Sequence, residues 1–337
     1  MNAYRLYFLP LLALCFFCAA CEQNHTASAA PSAPAESPAS GVSASPAKDA
    51  TPVGPQLHID ANRAMQYVKE IVAFGPRWDG SPGQQKLGSY LHNKLKADGA
   101  EVEDDAFTQQ TPAEAIPMRN IIAKFPGSKD GVIVMGSHID TNYPLRNTKF
   151  VGANDGGSST ALLLAIGDQL RGRKLDGYSV WLAFLDGEES IPSERPGDLR
   201  WDDNQSLYGS RHLAQKWQQN GTIKKVKAFI LADMIGDKDL EILRDQNSTP
   251  WLLDLVAQAS RSLGYQSYFF AQNSGVIDDH VPFQKAGAPV ADIIDLDYGF
   301  NNAFHHTTED TIDKLSAKSL QITGDVILET IRLINGR

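Results

Sequence analysis

The chain has 337 residues, 42% of them hydrophobic and 21% charged, and a formal net charge of −9. That length can bury one large core or two small ones, and the acidic balance argues against nucleic acid as a partner. All three cysteines, Cys15, Cys18 and Cys21, lie at the N-terminus, so the rest of the chain has neither a disulfide nor a thiol nucleophile.

In chain order, Arg5 precedes an apolar run, Leu6 to Phe17, that is short for a bilayer span. Cys18-Ala19-Ala20-Cys21 then sets small residues before a cysteine. This resembles a bacterial lipoprotein signal spanning residues 1–21, with Cys21 as the lipid-bearing residue. With Glu22 after it, the resemblance to such lipoproteins implies the outer membrane, facing the periplasm. Residues 22–55 are rich in Ala, Ser and Pro and cannot bury enough apolar surface to order themselves, which predicts a flexible tether. The catalytic domain is expected over 56–337.

Within it, Asp60 is placed to cap a helix whose apolar stripe is Met65, Val68, Ile71 and Val72. Gln84 to Ala97 reads as a second helix. Strands are expected at Glu101–Thr108, Asn120–Phe125, Val132–Ser137 and Ser179–Leu185, with a helix over Ser159–Leu170 between the last two. Then follow helix Ser206–Gln219, strand Val226–Leu231, helix Pro250–Leu263, strand Pro289–Ile294 and helix Ala317–Ile334. Strands alternating with long helices imply an α/β fold: a single domain with a central mixed, mostly parallel sheet flanked by helices.

The chemistry gathers where these strands end. Phe184-Leu185-Asp186-Gly187-Glu188-Glu189 runs an apolar strand into two adjacent carboxylates, one able to hold a metal while the other serves as acid or base. Val132–Met135 leads to His138, a glycine-lined loop carries Asp155, Ala228–Leu231 leads to Asp233, and His305-His306 follow a later loop. Each has a plain reading as a core hydrogen-bonder, a helix cap or a turn residue. Together His138, Asp155, Glu189, Asp233 and His306 make a two-His, three-carboxylate set at strand ends, where open α/β sheets bind ligands. That donor mix suits Zn²⁺.

These motifs resemble the zinc-dependent glutaminyl-peptide cyclotransferases of the animal type, which share the fold of the zinc aminopeptidases of peptidase family 28. The order is His138-Ile139-Asp140, Gly152-Ala153-Asn154-Asp155, Asp186-Gly187-Glu188-Glu189, Asp233-Met234-Ile235-Gly236 and His306-Thr307-Thr308-Glu309-Asp310. The insert Ser190–Gln205, with Trp201, and the segment Asp278-Asp279-His280-Val281-Pro282-Phe283 resemble the cyclases rather than the peptidases. The resemblance implies one zinc held by Asp155, Glu189 and His306, with Glu188 as proton shuttle. It also implies Asp233 and Asp278 on the leaving nitrogen, Trp201 and His305 at the substrate, and N-terminal Gln peptides as substrates. His305 stands where the animal enzymes tend to have tryptophan. A monomer is expected, with membrane contact through the lipid anchor only. The alternatives are a two-zinc aminopeptidase using His138 and Asp233 for the second ion, and a non-catalytic peptide-binding lipoprotein.

Overall fold

A computed structural model describes residues 50–337. The expected signal segment, Cys21 and the tether as far as residue 49 lie outside the described residues. Residues 50–55, assigned by composition to the tether, lie against helices: Val53 N–H donates to the Arg332 carbonyl at 3.0 Å, and Ala50 N–H donates to Gln258 at 2.9 Å.

Among the described residues eight strands form: β1 (Glu101–Gln110), β2 (Ala115–Phe125), β3 (Gly127–His138), β4 (Leu175–Leu185), β5 (Val226–Asp233), β6 (Ile242–Asp245), β7 (Phe269–Ser274) and β8 (Val290–Ile294). Six make one sheet in the order β1-β2-β4-β3-β5-β8; β6 and β7 pair separately. The pairs β3–β4, β3–β5 and β5–β8 are parallel, while β1–β2 and β2–β4 are antiparallel. Seven α-helices accompany them among the described residues: α1 (Ala61–Val72), α2 (Pro82–Ala97), α3 (Gly157–Leu170), α4 (Tyr208–Gln219), α5 (Pro250–Ser262), α6 (His280–Lys285) and α7 (Ala317–Asn335). Asp60 caps α1, its side chain accepting from Asn62 and Arg63 N–H at 3.0 Å.

Both faces of the central strands are buried, and the two-residue period of the strands divides them. Ile133, Met135, Phe184 and Ile230 face the larger core with Leu162, Leu163 and Val326. Their neighbours Val134, Leu185, Phe229 and Leu231 face the other side, where Leu213, Trp217 and Phe283 cover them. Phe229 and Phe283 stack with centroids 4.0 Å apart. Near-continuous apolar strands are what a sheet buried on both faces requires.

Two strands begin well ahead of the sequence expectation and three short elements lie outside it, each for a physical reason. β2 begins at Ala115, ahead of Pro117, because its first half pairs only with β1 and the missing N–H faces no neighbour. β3 starts at Gly127 through register shifts that no alternation pattern signals. β6, β7 and α6 are short, and β7 is mostly exposed, so they carry little periodicity.

Candidate active site and metal centre

His138 closes β3, Asp233 closes β5, and Glu188 and Glu189 follow β4 through Gly187 in the left-handed region, φ 68°. All therefore meet at the C-terminal edge of the parallel strands. Asp155 arrives on the loop before α3, and Gly156, φ 72°, lets that loop lie against His138: a Cβ there would sit 2.9 Å from the ring. Met234 and His306 also hold positive φ, at 50° and 51°. Backbone strain at non-glycine residues costs of order 1–3 kcal/mol and persists where its surroundings enforce it, often at functional sites.

His306 Nε2 lies 3.2 Å from Glu189 Oε2 and 3.4 Å from Asp155 Oδ2. In a tetrahedral zinc site with bonds of about 2.0–2.1 Å, neighbouring donors stand ~3.3 Å apart. Both separations match that edge. Asp155 Oδ2 and Glu189 Oε1 are buried without a hydrogen-bond partner among the described residues, which a cation would satisfy. Asp155 and Glu189 thus each stand at ligand spacing from His306, and these donors could hold a metal ion; Asp155 and His306 also converge with His305. Asp155 turns its other oxygen, Oδ1, to His138 Nε2 at 3.2 Å, and that nitrogen also lies 3.1 Å from Asp233. The candidate second group is therefore together as well, and Asp155 is placed to bridge the two.

Neighbouring side chains fix these candidate donors. Asp310 accepts from Asn154 N–H at 2.8 Å and Asp155 N–H at 3.2 Å, and it receives the Tyr298 hydroxyl at 2.8 Å. Asp140 accepts from Glu188 and Glu189 N–H at 3.2 and 3.1 Å, and Asn142 donates to Glu189 at 2.8 Å. Arg77, wholly buried, donates to the carbonyls of Ile139, Val151 and Gly152 and so ties the His138 and Asp155 loops together. Burial lowers its pKa to about 10, against the pull of Asp310, Asp155 and Asp140, and it stays charged. Asp310 and Asp140 belong to motifs visible in the sequence. Arg77, Asn142 and Tyr298 do not, and Gly75-Pro76-Arg77, a turn holding one cation, was the faint signal for the first.

Beside the donors opens a cleft of about 330 Å³ lined by Glu188, Trp201, Asp233, Asp278, His305 and His306 among others. Every residue expected at the substrate is there. Trp201 is 41% exposed at the mouth, its indole N–H donating to Asp203 at 2.6 Å. Burial raises the Glu188 carboxyl well above the ordinary glutamate range. His138 opposes the shift, while Asp278, Glu189 and Asp279 add to it. Burial, then the charge of Asp233, pushes Asp278 up to about 7. Such a carboxyl group can both take and give a proton near neutrality.

His305 is held in one tautomer by a neighbour the sequence did not mark. Tyr298 N–H donates to Asn302 Oδ1 at 3.1 Å, which turns the Asn302 amide nitrogen to His305 Nδ1 at 3.0 Å. Nδ1 must then accept, leaving the proton on Nε2. Asn301 and Asn302 adopt φ 54° and 58° to achieve this.

Residues 120–331 match peptidase family M28. A glutaminyl-peptide cyclotransferase of the snake Boiga irregularis is 30% identical over 302 residues, covering 76% of this chain and 78% of that protein. The crystal structure of an Acidobacteriales bacterium glutaminyl cyclase is 52% identical, with a TM-score of 0.79, covering 86% of this chain and 99% of that one. A Zn-dependent exopeptidase from Parabacteroides distasonis is 26% identical, with a TM-score of 0.73 over 84% of this chain and 100% of that one. The chain belongs to peptidase family M28, among its glutaminyl cyclases.

Proposed function

We propose that this domain cyclises N-terminal glutaminyl residues of peptides to pyroglutamate and releases ammonia. The observation that carries this reading is the insert Ser190–Gln205. It brings Trp201 to the mouth of a cleft whose interior sets Glu188 beside Asp233 and Asp278. A terminal side chain is enclosed there, next to an acid–base group and the donor set.

The substrate's α-amine is the nucleophile and its own γ-carbonyl carbon the electrophile, so no enzyme nucleophile is needed. Holding the glutaminyl side chain folded back on its amine supplies much of the acceleration. One Zn²⁺ on Asp155, Glu189 and His306 would supply Lewis-acid polarisation of the γ-carbonyl. Glu188 takes the proton lost by the amine as the C–N bond forms and returns it to the amide nitrogen that leaves as ammonia. Asp233 and Asp278 hydrogen-bond that nitrogen, and Trp201 and His305 wall the pocket. Lipid attachment at Cys21, an outer-membrane address facing the periplasm and a monomeric state complete the reading.

A second reading, a two-zinc aminopeptidase, is favoured by the convergence of His138, Asp155 and Asp233. Incubation of the purified protein with a Gln-initiated and a Leu-initiated peptide separates the two. Loss of one ammonia from the first peptide alone supports cyclisation; release of a free N-terminal amino acid from either overturns it.

A further inference from the structure

Since β1, β3, β4, β5 and β8 run in one direction, the segments entering them gather at the end of the domain opposite the cleft. Those segments carry Lys129, Arg171, Arg173, Lys174, Lys224, Lys225 and Lys285, all exposed. Among the described residues only Arg171 of these pairs with a carboxylate, Asp98 at 3.5 Å. The exposed acids there are Glu101, itself 3.6 Å from Lys124, Asp130 and Asp176. A strong local cation excess therefore stands on a chain whose net charge is −9. Helix C-termini attract cations, which accounts for Arg171 and Lys285. It does not account for Lys129, Lys174 or the Lys224–Lys225 pair, which no α-helix end holds.

Two further features lie at the same end. Lys129 Nζ and Tyr178 N–H donate to the carbonyl and side chain of Asn335, at 2.6 and 2.9 Å, which places the last turn of α7 there. Val53 and Gly54 are bonded to Arg332 on that turn, so these first described residues lie at this end. Beside Arg173 and Lys174 runs a groove of about 320 Å³ walled by Leu57, Leu170, Leu175, Leu328 and Ile331. A soluble polyanion would use the cations alone; an amphiphile would use both.

We propose that this basic end docks on an anionic lipid bilayer and so turns the cleft toward the surrounding solution. The contact is independent of lipid attachment at Cys21 and of the reaction catalysed. Each Lys or Arg near an anionic membrane surface strengthens binding roughly fivefold.

Residues 50–337 contain every helix and strand described here, and a solved relative corresponds to 86% of the chain, so this part can be tested by itself. It should sediment with vesicles of phosphatidylcholine mixed with phosphatidylglycerol, and not with phosphatidylcholine alone. Salt near 1 M, where the Debye length falls to about 3 Å, should release it. The quadruple variant Arg173→Glu, Lys174→Glu, Lys224→Glu, Lys225→Glu should bind at least ~100-fold more weakly. Its melting curve and its turnover of a Gln-initiated peptide should stay at the level of the parent, showing that the fold is intact. Failure to bind mixed vesicles, equal binding to neutral ones, retention by the quadruple variant or equal affinity for soluble polyphosphate would each overturn the proposal.

Discussion

Tyr298→Phe probes how the fold holds the candidate metal ligands. Tyr298 is fully buried, and its ring packs edge-on against Phe304 at 5.4 Å, a contact that phenylalanine keeps. Its backbone N–H, bound to Asn302, is also unchanged. What disappears is one 2.8 Å hydrogen bond to the Asp310 carboxyl, which then relies on the N–H groups of Asn154 and Asp155. A hydrogen bond to a charged group contributes about 1.5–3 kcal/mol. With roughly 2–4 °C of melting temperature per kcal/mol in a domain near this size, the midpoint should fall by about 3–12 °C. Asp310 positions Asp155 directly, so zinc affinity should fall about 10–100-fold, the usual range for a lost second-shell partner. Thermal melts with and without chelator, and zinc competition against a chromophoric chelator, measure the two effects. A melting point within about 1 °C of the parent together with unchanged zinc affinity would show that this bond does not organise the site.

Glu188→Gln should keep its metal yet lose on the order of a hundredfold or more in turnover, because an amide cannot shuttle a proton; parent-like turnover in a metal-replete variant removes Glu188 from that role. Asp155→Ala, Glu189→Ala and His306→Ala should each release zinc on metal analysis, whereas His138→Ala should retain one equivalent if a single ion suffices. Asn302→Asp still accepts from Tyr298 but turns a second acceptor to His305 Nδ1, moving the imidazole proton there. The ¹⁵N shifts of His305 should report the change, and KM for Gln peptides should rise by about tenfold or more as one pocket donor is lost. Cys21→Ser should move the full-length protein out of the lipid-modified pool while leaving turnover intact; metabolic labelling with a fatty acid that persists in the variant would refute acylation at this residue.

Strand ends were the legible part of this molecule. Val132–Met135, Phe184–Leu185 and Ala228–Leu231 are apolar because both sheet faces are covered, and a polar residue closing such a run has left the core for the ligand-facing edge. His138, Glu188, Glu189 and Asp233 were drawn to notice by that logic, though each alone also had a plain reading. Asp155 and His306 lie on loops and became candidates only as members of a set whose donor chemistry made sense together. Arg77, Asn142, Tyr298 and Asn302 touch no substrate-facing surface pattern. Their roles exist only once loops separated by dozens of residues are folded against one another, as when Arg77 reaches Val151 and Gly152. A local pattern can report what a residue does to its own element, but these residues act on someone else's. The same reasoning explains why the basic end escaped a reading by net charge. Lys129, Lys174 and Lys224 are scattered among acids along the chain, and only the shared direction of the strands collects the segments that carry them. Topology sorts charge here just as it sorts ligands: the ends of the strands make the acidic cleft, and their beginnings make its basic opposite.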